Sequence, residues 1–271
     1  MGTELKFCFE LDPVDEIEPW TSKAGPSQSW FGLTSGRYWV ETSVGTALQH
    51  TEVGRVQRNL TSPYADYHVA RFFEDLQNVL SAVLEPVPSD IAALTANSEW
   101  RAAIALHKSS EPGNSNYTYD IGEAFEWRRE RSIDSGHLAS GPHFNFCRIA
   151  DAVHVDWETP GDNTKEIWLT PAGKFTISAD NFKIAAERFI YGFLNAMQKR
   201  VDDIARNGWQ RPDCNLDVPA LIREQRKRVL RAHDLLLTTC KTDWPEIRIL
   251  IRELSTSARI IDPLDYEGTV Q

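Results

Sequence analysis

His143, Asn145 and Cys147 stand two residues apart, and His154 and Asp156 repeat that spacing a short way on. Residues two apart on a strand share a face, so neighbouring strands would present imidazoles, a thiol and a carboxylate together. Such a set suits a metal site or an acid–base pair. The interleaved Phe144, Phe146, Val153, Val155 and Trp157 supply an apolar opposite face. A hairpin with one buried and one solvated side therefore explains the same pattern without chemistry. No catalytic residue, metal ligand or cofactor is assigned on this basis. The enzyme reading, a hydrolase or transferase using His143, His154 and Asp156, stands as the alternative.

Two further groups are suited to contact rather than reaction. Asp151, Asp156, Glu158, Asp162 and Glu166 form an acidic rim relieved only by Arg148 and Lys165. Carboxylates so arranged can enter a basic cleft of another protein and imitate a phosphate-bearing substrate. Asp12, Asp15, Glu16 and Glu18 make a comparable second patch. The other group is aromatic: Trp30, Phe31, Tyr38 and Trp39 within Ser29–Val40. Ser35-Gly36 between them has turn chemistry, so a β-hairpin is expected whose rings need covering by the protein's own core or by a partner. Trp30, Tyr38 and Trp39 join the acidic residues as candidate partner-binding positions.

Other charged runs have ordinary explanations. Glu123–Arg131 (EAFEWRRER) places carboxylates and guanidiniums at helical spacings that pair on a surface. Arg223, Arg226, Lys227, Arg228 and Arg231 form a basic helix stripe, but Glu224 and Asp234 accompany it and the whole chain carries a net charge of −10. Nucleic acid is therefore not the expected partner. Glycine-rich phosphate loops, HExxH and GxSxG are absent from the sequence.

These residues need elements to hold them. Leu5, Phe7, Phe9 and Leu11 alternate with polar positions and predict a strand. Strands are also expected at Phe144–Ile149 and Ala152–Trp157 around an Ala150-Asp151 turn, and at Glu166–Leu169 and Lys174–Ile177 around Pro171-Ala172-Gly173. Apolar residues at helical spacing predict a helix over 63–84, opened by Pro63, and another over 89–106, with a loop over 111–119. Ser178 or Asp180 should cap a long helix that Gly208 ends near Asn207, and two more helices are expected over 219–239 and 245–255. The expectation is an α+β fold of antiparallel hairpins and sheet packed against several long helices, with a helical C-terminal third. One domain over 1–271 is expected, strand-rich in 1–60 and 140–178 and helical in 63–108 and 180–256.

Composition agrees with an ordinary globular chain, at 41% hydrophobic and 25% charged over 271 residues. Acidic residues dominate the first two thirds, and the last third is nearly balanced. Such a field repels nucleic acid and attracts basic partners. The four scattered cysteines show no CxxC or zinc spacing, which suits a reducing compartment. No apolar run approaches a membrane span, and the first residues do not resemble a signal peptide. A cytoplasmic protein without membrane contact is expected.

Several segments in register resemble an uncharacterised bacterial family known only as domain of unknown function 5984. They are FCFEL at Phe7–Leu11, PVDEIEPW at Pro13–Trp20, WFGLTSGRYW at Trp30–Trp39, RSIDSGHL at Arg131–Leu138, GPH at Gly141–His143, DAVHVDW at Asp151–Trp157, IWL at Ile167–Leu169, and Phe193–Val201 with Met197 and Arg200. The resemblance covers about residues 5–207 and brings no catalytic residues with it. It implies an immunity protein, since acidic cytoplasmic proteins of this kind are often encoded beside polymorphic toxins of the Rhs or type VI effector type. The implied partner is a cognate toxin with a basic active site, a nuclease or an ADP-ribosyltransferase.

Overall fold

The computed structural model describes residues 5–23, 25–96, 124–138, 140–161 and 166–257. Asp162, the loop expected over 111–119 and the helix expected beyond residue 96 lie outside them.

Alternating side chains build β1 (Lys6–Leu11), whose Phe7 faces inward, and β1 pairs antiparallel with β4 (Ser35–Thr42). Between them come the short β2 (Trp20–Ser22), β3 (Gly25–Gln28) and a single 3₁₀ turn at Gly32–Thr34. On the other edge of β4, β5 (Gly45–Ala47) and β6 (Ala65–His68) lie end to end. The expected hairpin around Ser35-Gly36 is therefore not formed. Both residues open β4, and the 3₁₀ turn precedes them. Gly36 serves close approach instead: a Cβ there would lie 2.2 Å from the Glu10 carbonyl oxygen of β1.

α1 (Glu52–Gln57) starts at Thr51, whose hydroxyl accepts the Gly54 N–H. The helix expected from Pro63 begins only at Val69, as α2 (Val69–Leu84), because Ala65–His68 is taken up by β4. α3 (Ser89–Ala96) follows, then a short helix α4 over residues 124–129.

The second sheet is antiparallel, in the order β10–β9–β8–β7. It comprises β7 (Ser132–Asp134), β8 (His143–Ile149), β9 (Ala152–Glu158) and β10 (Ala172–Ser178). β8 and β9 form the expected hairpin, turning at Ala150-Asp151, where Ala150 adopts φ +50°. Glu166–Leu169 is not a strand. Trp168 makes one isolated bridge to His50, its ring stacks on that imidazole at 4.1 Å, and its indole N–H donates to the Ser140 carbonyl.

α5 (Ala179–Asn207) has the expected ends: Ser178 Oγ accepts the Asn181 N–H, and Gly208 at φ +77° stops it. β11 (Asn215–Leu216) adds a parallel strand to β3, and α6 (Val218–Leu237) and α7 (Trp244–Ser257) follow.

One core joins both large sheets to α2 and α5. Phe182 of α5 packs edge-on against Phe7 of β1 and Phe146 of β8, while Phe72 of α2 touches Phe7, Tyr38 and Phe189. α6 lies across the α2–α5 pair, and Gln225 accepts the Trp30 indole N–H at 2.8 Å. A second, smaller core gathers Val87, Ile91, Ala124, Trp127, Ile247, Ile251 and Leu254. The architecture is α+β, and no helix among the described residues is long and apolar enough to cross a membrane.

Candidate functional site

The period of two in β8 and β9 gives their sheet two unlike sides. Phe144, Phe146, Val153, Val155 and Trp157 are buried on the inner side. His143, Asn145, His154, Asp156 and Glu158 occupy the outer side, with Asp134 of β7 and Lys174 and Thr176 of β10 beside them. The second core covers this outer side only where Cys147 and Ile149 pack against it. Among the described residues the half around Asp134, Asp156 and Glu158 is open, and all three carboxylates are exposed.

Register decides what these groups can do together. His143 pairs with Glu158, Asn145 with Asp156, and Cys147 with His154. His143 Nε2 lies 3.2 Å from Asp134 Oδ1, the Asn145 amide donates to Asp156 at 3.0 Å, and His154 Nδ1 meets Thr176 Oγ1 at 3.2 Å. Thus His143 and His154 turn to different partners. Among the described residues no group of three His, Cys, Asp or Glu side chains is placed to hold a metal ion. What the face offers is carboxylates in water, flanked by hydrogen-bonding groups.

The expected acidic rim is divided. Asp151 stands at the β8–β9 turn with a weak 3.9 Å contact to Arg148, seven residues from Glu158 on a continuous strand, hence about 23 Å away at ~3.3 Å per residue. Asp156 and Glu158 share the open half with Asp134, which sequence reasoning did not include. Its signal was weak, because a three-residue strand shows little periodicity. Glu166 is exposed beyond β9, and its carbonyl accepts the Thr51 hydroxyl.

The aromatic candidates mostly leave the surface. Trp30 and Tyr38 are buried, 3% and 0% exposed, so they cannot reach a partner without unfolding. Trp39 is half-buried, stacked on Tyr64 at 3.9 Å, with its indole N–H donating to Glu41 at 3.1 Å. The cover for this cluster is the protein's own core.

The most perturbed titratable groups lie elsewhere, in the seam between the two large sheets. Tyr38 Oη is 2.6 Å from His137 Nε2, and the His137 ring packs against Tyr67 at 4.8 Å. Burial, reinforced by the Arg71 cation, lowers His137 from 6.5 to about 4, and burial pushes the Tyr38 phenol up. Burial also raises Asp75 to about 6 despite its bond from Arg71 at 3.1 Å. A neutral imidazole bonded to a protonated phenol fastens β4 to the loop after β7. It needs no reaction to explain it.

The run expected to form surface ion pairs is also partly interior. Arg131 is 1% exposed, donates to Glu85 at 2.6 Å and to the Trp127 carbonyl, and lies near the faces of Trp127 and Trp244. In the basic stripe, Arg228 pairs with Glu224 and Glu74, and Arg231 reaches Asn78. The Arg228 charge is thereby committed within the fold.

This sheet arrangement accompanies a match to a family of unknown function (DUF5984) over residues 6–250. The chain belongs to that family. The match extends past the expected limit near residue 207, so α6 and the first half of α7 lie within the matched region. No curated protein and no solved structure matches the chain.

Proposed function

We propose that this chain is an immunity protein that binds a cognate interbacterial toxin of the Rhs or type VI effector type and neutralises it in the cytoplasm. The toxin's active site would be basic, as in a nuclease or an ADP-ribosyltransferase, and the chain would occlude it. The observation that carries this reading is the half-sheet, uncovered among the described residues, that bears Asp134, Asp156 and Glu158 in solvent. A rigid sheet presents charges without much ordering cost, and carboxylates facing a cationic cleft accelerate encounter and fix orientation. The acidic balance of the chain acts in the same direction at longer range.

The test is affinity capture with the tagged protein from its native cells, run beside a variant carrying Asp134→Lys, Asp156→Lys and Glu158→Lys. A near-stoichiometric basic toxin retained by the wild type, released by salt and lost by the variant is expected. Equal capture by the variant, or equal protection of cells producing the toxin, would refute the sheet-face interface. Absence of any toxin among captured proteins, in cells shown to express it, would refute the immunity reading.

A further inference from the structure

β1 stands at the edge of its sheet. It pairs with β4 on one side, and among the described residues no backbone group is bonded to the other. The polarity of the pairing shows what that edge presents. The Asp12 N–H donates at 3.0 Å to the carbonyl of Ser35, the residue opposite it when the β1–β4 register is continued by one. Bonded and non-bonded pairs alternate along an antiparallel ladder, so Lys6, Cys8 and Glu10 direct their backbone groups to β4. The N–H and C=O of Phe7 and Phe9 therefore point away from β4, in the plane of the sheet.

This edge is accessible. A groove of about 440 Å³ runs along it, between β1 and the side of α5 that carries Ala185, Arg188 and Phe189. The rings of the strand are already packed, Phe7 against Phe182 and Phe189, and Phe9 against Phe189 and Phe193. What the groove offers is thus a row of backbone donors and acceptors held in place by packed rings. Such a row is a template for one more strand.

Charge identifies that strand. In an antiparallel pair of two β1 copies, outward-pointing residues must stand opposite one another. The central registers that satisfy this put Phe7 opposite Phe7, Phe7 opposite Phe9, or Phe9 opposite Phe9. Only the second sets Lys6 of each copy opposite Glu10 of the other, with Cys8 facing its own counterpart. These Lys6–Glu10 pairs fall at non-hydrogen-bonded positions, where side chains approach most closely. Both side chains are exposed, and their contacts within the chain, to Glu41 at 3.8 Å and to Arg37 at 3.6 Å, are long. Opposite charges facing across a strand pair stabilise it and like charges oppose it, so β1 is complementary to itself.

We propose that the β1 edges of two copies of this chain join, antiparallel and with Lys6 opposite Glu10, into a weak symmetric dimer with one sheet running through both. Two six-residue edges are a small contact beside the roughly 1,200–2,000 Å² of stable complexes, so a Kd on the order of 10–100 μM is expected. This inference stands apart from the toxin reading, because Asp134, Asp156 and Glu158 lie on the other large sheet.

The test is sedimentation velocity of the intact protein, from well below to well above that Kd, with amide exchange followed by NMR. A passage from monomer to dimer is expected. Exchange at Phe7 and Phe9 should slow with concentration, while Cys8, already bonded to β4, keeps its rate. Lys6→Glu and Glu10→Lys should each weaken the dimer on the order of tenfold, since each sets like charges opposite one another in both pairs. An equimolar mixture of the two variants recreates both opposite-charge pairs and should dimerise as the wild type does. That recovery also shows both variants to be folded. A monomer at every concentration, single variants as tight as the wild type, or a mixture no tighter than either variant alone would overturn the proposal. So would exchange at Phe7 and Phe9 that is indifferent to concentration. Toxin capture can fail while the dimer forms, and the reverse, so the two proposals fall separately.

Discussion

The outer side of the β7–β10 sheet has two halves with opposite fates. Over Cys147 and Ile149 it is roofed by the second core, and the charge there is interior: Arg131 and Glu85 meet at 2.6 Å, and Glu85 also accepts from the Thr242 N–H and hydroxyl. Over His143 and Glu158 the sheet has no such roof among the described residues, and the nearby Asp134–His143 pair has side chains 69% and 45% exposed. A desolvated charge is stable only with its partners in place, so the first half is bound to the fold. Charges in water contribute little to stability and can be changed or engaged by another molecule at small cost. The same strands thus carry a structural surface at one end and an available one at the other.

Breaking the roofed half should have the largest effect. Arg131→Met leaves the part-buried Glu85 without its cation, and a loss of about 3 kcal/mol is expected in urea unfolding. Adding Glu85→Leu should restore part of that loss, because the orphaned charge goes with it. Should the single variant match the wild type, the ion pair does not pin the second core. Ile251→Ala, in the same roof, should cost about 2–5 kcal/mol and speed amide exchange across Val87–Ala92 and residues 124–131 more than in α5.

Acid sharpens the contrast at the seam. His50 and His137 sit near pKa 4 when folded and near 6.5 when unfolded. Between those values the unfolded chain takes up protons that the folded one refuses, so stability falls as pH drops from about 6.5 to 4. Allowing for solvent screening, each imidazole should account for about 1–2 kcal/mol. Asp75, raised to about 6, acts in the opposite sense, adding stability as pH falls from about 6 towards 3.8. Two imidazoles outweigh one carboxyl, so the net slope is a loss, and Asp75→Asn should steepen it. Unfolding curves at several pH values check both statements.

The open half should show the smallest effects on stability. His143→Ala should change it by no more than about 0.5 kcal/mol, and the Asp134, Asp156, Glu158 charge reversal by about 1 kcal/mol in total. A large loss in either variant would mean that this half is structural too, and would remove the basis for assigning it to a partner.

Local pattern carried much of this fold. The β8–β9 hairpin was legible because five buried residues alternate with polar ones around a two-residue turn, and α5 because its apolar face, Ser178 cap and terminal Gly208 agree with one another. Three expectations failed where distant residues prevailed. Ser35-Gly36 has turn chemistry, yet Gly36 lies in β4 to admit the β1 backbone. Ala65–His68 follows Pro63, which can open a helix, yet it pairs with β4, and the N–H of Ala70 in the first turn of α2 is bonded by Thr34 Oγ1, 36 residues earlier in the chain. Ile167 and Trp168 suit a strand, yet only one bridge forms because Trp168 lies against His50.

For the candidate sites the division is similar. The types and alternation of His143, Asp156 and Glu158 were plain, whereas the convergence of Asp134 with them depends on the β7–β8 pairing. By itself, the sequence determined which side of each strand is apolar, where α5 begins and ends, and the sign of the chain's field, because these depend on neighbours and on composition. Only the tertiary structure decided which polar groups are buried and which carboxylates remain in water, because desolvation is set by whatever packs against a residue from elsewhere in the chain.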